Sequence, residues 1–259
     1  MNDTLFWNGN KSPARRAFES ELFKLALTHS QPHLNNIKVD DTDYPAAADE
    51  SDIFNKGADA LVTVAGNTKF ADVEFIEISK PICKGLLGFR VMIVRQDDQN
   101  KIRHMVKEEI RKLKHGIPAT WADANLFRSN QFEVFEQGTL DTIFNDLSKG
   151  ECDYIALGAN EVTDIFNGFC PPELSLVIED SIVLYYPMPL VFYVNPKNPR
   201  LAKALETGLE HCFASGQFNK LFEKHYGDAI AGVELDKRTP IILDNPELPA
   251  SMTDFKPSL

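Results

Sequence analysis

The stretch "FNKGADALVTVAGN", Phe54–Asn67, returns in altered spelling as "LSKGECDYIALGAN", Leu147–Asn160. Each copy reads as the last turn of a helix ending at Lys-Gly, an acidic residue, a short apolar strand, and a small-residue loop closed by Asn. Gly just past a helix supplies the left-handed residue that closes its last turn, and a bounded run of β-branched and large apolar residues reads as a buried strand. The repeated unit predicts two lobes of one design with the Asn loops in equivalent places. The alternative is that any two helix-Gly-strand units of an α/β chain look alike. In open α/β sheets ligands bind outside the carboxyl ends of strands, so both loops become candidate binding elements.

Upstream of the first copy, Ser12 and Pro13 read as N-cap and first residue of a helix that carries Phe18, Leu22 and Leu25 on one face. Strands alternating with helices predict βαβ construction and a mostly parallel sheet in each lobe. "KGLLGFRVMIVR", Lys84–Arg95, breaks the pattern with two glycines before an apolar strand. A helix is predicted from Asn100 to Lys114, burying Ile102, Met105, Val106, Ile110 and Leu113, and a second βα series follows. "SIVLYYPMPLVFYVNPKNP" is apolar and bent at Pro187 and Pro189. Asn198 and Pro199 then start another helix, "GQFNKLFEKHYG" forms a short amphipathic one, and Ala229–Leu259 reads as an extended arm over the surface. Two strand-like connections, near Arg90–Val94 and Leu190–Val194, enclose the second series. They predict a first lobe of residues 1–91 and 190–259, the arm at 229–259 included, and an inserted second lobe of 92–189. Two such crossings make a hinge that closes on a ligand.

Composition narrows the function. At 259 residues and 43% hydrophobic content the chain can bury a proper core, while a net charge of −11 and a pI near 5.0 exclude a phosphate-binding surface for nucleic acid. The basic cluster Arg111, Lys112 and Lys114 reads as a solvated helix face. No run of eighteen apolar residues is present, so no membrane-embedded segment is expected. The abrupt strand at Thr4 fits a mature periplasmic region that follows a leader. Cys83, Cys152, Cys170 and Cys212 show no metal spacing. They read either as one or two disulfides of an exported protein or as buried thiols. His29, His33, His104, His115, His211 and His225 are scattered, mostly at polar positions, and read as solvated. No hydrolase elbow, zinc-protease motif or phosphate-binding glycine loop appears, so neither a catalytic signature nor a cofactor is expected.

What remains are polar loops with aromatics at strand ends: Trp7 and Asn8 after the first strand, Asn67, Thr68 and Lys69 after the first repeat, and Thr120 and Trp121 before a helix of the second lobe. Thr at a helix N-terminus offers a hydroxyl and free N–H groups to an anion, or serves only as the cap. Either tryptophan can wall a pocket or fill a core.

The order of "KPICKGLLGFRVMIVR", "TWADANLFRSNQFEVF", "GTLDTIFNDLSKGECDYIALGANEV", "LYYPMPLVFYVNPKNPRLAKALETGLE" and "GQFNKLFEKHYG" resembles the type II periplasmic solute-binding proteins. Within them it is similar to a proteobacterial branch, family-3-like, related to the amino-acid binding proteins of ABC importers. The resemblance spans about Thr4 to Gly227 and implies two α/β lobes joined by two hinge strands, with ligand in the cleft. It carries Trp7, Asn8, Asn67, Thr68, Lys69, Thr120 and Trp121 over as ligand-binding residues, and Arg90, in the first connecting stretch, is expected to join them. Gly158 falls where those binders place an amine-binding Asp, which leaves Asn160 and Glu161 as the nearest polar groups. No Arg stands near Lys69, and a Lys does not reproduce a planar bidentate clamp. The implied protein is a periplasmic monomer without cofactor or metal that closes on a small polar molecule, anionic ones included. Its partner would be an ABC transporter membrane component or a sensor kinase. The alternatives are a lyase similar to the cyclohexadienyl dehydratases, with Glu161 or Lys69 moving the proton, and a divergent module that binds a protein partner.

Overall fold

Residues 3–30, 36–44, 46–119, 121 and 123–259 are described by the computed structural model. They separate into two compact units, one of Met1–Lys84, Pro189–Asp228 and Pro249–Asp254, the other of Gly85–Met188, Ala229–Leu248 and Phe255–Leu259. In chain order the elements are β1 (Thr4–Trp7), α1 (Pro13–Ser30), β2 (Ile37–Asp40), α2 (Ala47–Ser51), β3 (Ala60–Val64), β4 (Ile76–Ile78), β5 (Phe89–Arg95), α3 (Gln99–Ile102), α4 (Lys107–Ile110) and β6 (Lys114–Ile117). There follow α5 (Asp123–Ser129), β7 (Glu133–Glu136), α6 (Leu140–Lys149), β8 (Tyr154–Gly158), α7 (Val162–Phe169), β9 (Leu176–Tyr185), β10 (Leu190–Val194), α8 (Pro199–Ala214), α9 (Gln217–Val233) and β11 (Thr239–Ile242).

The first unit holds a sheet of order β2-β1-β3-β10-β4, the second one of order β11-β9-β5-β8-β6-β7. The two repeated stretches occupy matching places. β3 lies between parallel β1 and antiparallel β10, and β8 lies between parallel β6 and antiparallel β5. The glycines that open each copy, Gly57 and Gly150, stand at φ 102° and 81°, the left-handed turn that only a residue without Cβ adopts at no cost. The duplication is therefore one of topology as well as of spelling. Each sheet is mostly parallel, as expected, with a single strand, β10 in the first and β5 in the second, running against its neighbours.

Local signals behave as their chemistry dictates. Asn198 caps α8 by accepting from the Leu201 N–H, and the buried face of α1 is Phe18, Leu22, Phe23, Ala26 and Leu27. Phe6 stacks on Phe23 and packs against Phe192, so β1, α1 and β10 share one core. The single helix expected over Asn100–Lys114 is two short ones. The Glu109 carboxylate accepts from the Val106 N–H at 2.9 Å and starts α4 afresh, leaving Val106 57% exposed. Of the expected buried face only Ile102 and Ile110 are buried, and Lys114 already belongs to β6.

The stretches expected to connect lobes are inner strands: β5 pairs along β8 and β9, and β10 along β3 and β4. The short helix expected to end at Gly227 continues to Val233 as α9. The arm beyond it, expected with the first lobe, is largely part of the second unit, where β11 pairs in parallel with β9, from Thr239 beside Ile182 to Ile242 beside Tyr185. Leu243 N–H then donates to Tyr185 O, Asn245 Nδ2 to Pro187 O, and Asn130 and Asp244 exchange two hydrogen bonds.

Cys152, Cys170 and Cys212 are free thiols, Cys83, Cys152 and Cys212 are buried, and burial pushes Cys152 and Cys170 up to about 12. Among the described residues no helix is long and apolar enough to cross a membrane, and no group of three or more His, Cys, Asp or Glu is placed to hold a metal ion.

Candidate functional site

In the first unit the expected site residues, Thr68 apart, are committed to neighbours within the fold. Trp7 is 1% exposed and its indole N–H donates to Thr42 O at 3.0 Å, so it is core and offers no free edge to a ligand. Asn8 is equally buried and donates to Arg16 O and to Asp41. Asn67 donates to Thr63 Oγ1 at 2.8 Å while its Oδ1 accepts from the Lys69 N–H. Lys69, the cation expected for an anionic ligand, is held by Glu50 at 2.7 Å, where Asn10 also donates. Thr68 is exposed in the turn that follows. A neighbouring buried ion cluster, Lys11 and Arg15 on Glu19, is likewise closed on itself.

The second unit is different. Arg90, on β5 directly across from Gly158 of β8, is 3% exposed. Its Nε donates to the Tyr186 hydroxyl at 2.7 Å, and its Nη2 lies 3.0 Å from Asp123 Oδ2 and 3.0 Å from Met188 Sδ. The Tyr186 hydroxyl in turn donates to Asp123 Oδ2 at 2.8 Å, closing a triangle of three buried groups. Burial works against the charge on Arg90, but Tyr186, Asp123 and Glu161 outweigh it and hold its pKa above the ordinary value. Burial likewise holds the Tyr186 phenol well above its usual pKa.

Beyond β8 the chain turns through Asn160 and Glu161 into α7. Asn160 is 1% exposed, and among the described residues neither its Nδ2 nor its Oδ1 has a hydrogen-bond partner. A buried amide left unpaired costs about 1–3 kcal/mol, so its retention needs a reason. Glu161 is 7% exposed, and its carboxylate accepts no hydrogen bond and makes no ion pair among the described residues, feeling Arg90 only through space. Both side chains fold back over Gly158. A Cβ there would lie 2.5 Å from Asn160 Oδ1 and 3.3 Å from Glu161 Oε1, so the missing side chain is what admits them. Asn67 and Asn160 thus close the two copies of the repeat with opposite outcomes, one satisfied and the other not.

Of the remaining expected residues, Trp121 is half-buried, and Thr120 lies outside the described residues, as does His33. The anion site expected at the start of α5 meets an acid instead, since Asp123 occupies the first turn and pairs with Arg90. Asp123, Tyr186 and Met188 were not anticipated. A signal for Tyr186 existed in the unbroken apolar run "IVLYY", of which all but Tyr185 is buried. From the arm, burial with Asp123 nearby raises the pKa of Glu247.

His115, expected to be solvated, is buried on β6, stacked on Tyr154 at 4.6 Å, with its Nε2 accepting from the Ala156 N–H of β8. Burial, with Arg90 adding to it and Asp123 opposing, lowers its pKa from 6.5 to about 3. The native ring is neutral while an unfolded one takes a proton below about 6.5, so the stability it contributes above that pH is lost as pH falls from 6.5 toward 3. His115→Phe is expected to flatten the pH dependence of stability in that window by up to about 1.4 kcal/mol per pH unit, read from urea midpoints between pH 7 and 4. An unchanged slope would place the proton uptake elsewhere.

No family model matches the chain and no curated protein matches it in sequence. Solved structures do match. A mutant of ArgBP from T. maritima is 15% identical with a TM-score of 0.60, over 86% of this chain and 95% of that one. The GluR0 ligand binding core in complex with L-glutamate is 13% identical at TM-score 0.63, over 88% and 99%. A structure from work on glutathione import via GshT and the cystine ABC importer of Streptococcus mutans is 15% identical at TM-score 0.60, over 88% and 96%. These likenesses establish the fold of this chain as the two-lobed type II periplasmic-binding-protein fold, each lobe a mixed sheet flanked by helices.

Proposed function

We propose that the chain is a solute-binding protein whose second unit receives the cationic group of a small polar ligand at Asn160 and Glu161. One observation carries this reading: a buried amide and a buried carboxylate, side by side at the carboxyl end of β8, have none of the partners that every comparable group of the first unit has. An ammonium or guanidinium group supplies what both lack, donors for two oxygens and a positive charge for Glu161. The charge balance points the same way, because Arg90 is committed to Asp123 and leaves Glu161 and Glu247 in surplus. The anionic ligand expected from the sequence loses its support, since Lys69 is bound to Glu50. The same ion pair weighs against a lyase that would use Lys69 as its acid or base. Delivery to an ABC importer or a sensor from the periplasm, as a monomer closing on its ligand, fits the fold and belongs to this proposal.

The test is a thermal-shift panel of basic amino acids, diamines, polyamines, dicarboxylates and sugars on the intact protein. A cationic ligand at a hundred times its dissociation constant adds about 2.7 kcal/mol, which raises the melting point by roughly 5–11 °C. Shifts confined to dicarboxylates or sugars would overturn the cationic assignment. No shift from any class would overturn the solute-binding reading itself.

A further inference from the structure

Two depressions of the first unit form one groove, which reaches the loop after β3 through Gly66, Asn67 and Thr68. Two hollows of about 720 and 630 Å³ adjoin through Val73, Glu74 and Pro196. Phe70 and Tyr193 lie beneath the second, and Phe75 stacks on Tyr193 at 3.8 Å with the rings 11° apart. Tyr193 is fixed by its hydroxyl, which accepts from the Gly66 N–H at 3.2 Å, so the aromatic floor is rigid.

The rim carries the charge. Two segments contribute carboxylates, Asp49 and Asp52 from the α2 region and Asp72 and Glu74 from the chain before β4, against Lys197 as the lining cation. Lys56 bridges the first pair, at 3.2 Å from Asp49 and 3.8 Å from Asp52. Asp72 and Glu74 are exposed and make no ion pair among the described residues. An apolar aromatic floor under an acidic rim suits side chains that are flat or long and end in a cation: guanidinium planes stack on rings while their charge meets carboxylates. Interfaces favour such pairs, aromatic rings and Arg at the centre and charge complementarity around them.

We propose that this groove docks a basic segment of a protein partner, with arginine or lysine side chains against the half-buried Phe75, which Tyr193 backs from beneath, and between the carboxylates of the rim. The assignment is independent of the ligand site in the second unit.

The experiment titrates the full chain into a fluorescent peptide of alternating arginine and leucine, with a glutamate-for-arginine peptide as control, and reads anisotropy. The arginine peptide is expected to bind and the acidic one not to. The double variant Asp72→Asn/Glu74→Gln, which alters only exposed side chains, is expected to weaken binding about tenfold, and raising salt from about 50 to 300 mM to weaken it further. Equal binding by the variant would overturn the proposal by placing the peptide on another acidic surface. So would displacement by an equimolar amount of spermidine, which would make the groove a small-cation site, and so would no binding at about 1 mM peptide.

Discussion

Replacing Arg90 by Met is expected to cost about 3–5 kcal/mol of stability, read as a fall in the urea midpoint, because it strands a buried carboxylate. The Asp123 side chain is 5% exposed and the Arg90 side chain 4%, so neither charge has water to fall back on. Methionine keeps the apolar length of the side chain, so a loss of this size reports the missing charge more than a cavity. The same reasoning fixes the double variant. With Arg90→Met and Asp123→Asn together the ion pair is gone from both sides, the Tyr186 hydroxyl keeps an oxygen to donate to, and most of the loss is expected to return, less what Arg90 gave to Glu161 through space. A single variant that costs under about 1 kcal/mol, or a double variant no better than the single, would show that the triangle is not a coupled unit.

That triangle also marks where the sequence stops being informative. The repeat at Phe54–Asn67 and Leu147–Asn160 was legible because each of its parts is local: a glycine that must turn left-handed, a run of apolar residues, a loop. The same holds for Asn198 and Pro199 at the start of α8, where capping chemistry acts over three residues. The fold followed from such signals, as did the placement of Asn160 at a strand end. The partners of Arg90 did not follow, since Tyr186 lies 96 positions away and the pairing exists only once β5 and β9 are neighbours. Lys69 failed for a related reason. A lysine in a polar loop looks free until the fold brings Glu50, 19 positions earlier, onto it. Trp7 and His115 were misjudged because burial belongs to the neighbours of a side chain, and composition does not name them. The split between α3 and α4 was at least local, in the Glu109 carboxylate that reaches back to Val106, but an apolar period running through the break concealed it.

Glu161→Gln tests the site at its sharpest point, because its expected effects on ligand binding and on stability diverge. The substitution keeps shape and volume and leaves Gly158 free to admit the side chain. The carboxylate it removes has no ion-pair partner among the described residues, so the ligand-free protein is expected to change in stability by about 1 kcal/mol or less. The cationic ligand, in contrast, loses the charge that balances its own, and truncating one partner of a buried charge pair costs about 2 kcal/mol or more, roughly 30-fold in dissociation constant. The melting-point shift that identifies the ligand should therefore shrink or vanish while the ligand-free melting point stays close to that of the parent. Asn160→Asp offers the opposite sign, adding a carboxylate beside Glu161, and is expected to tighten a dication while destabilising the empty protein through like-charge repulsion. If Glu161→Gln instead lowers the ligand-free stability by several kcal/mol and leaves the affinity unchanged, the carboxylate serves the fold by balancing Arg90, and the binding reading of this corner fails with it.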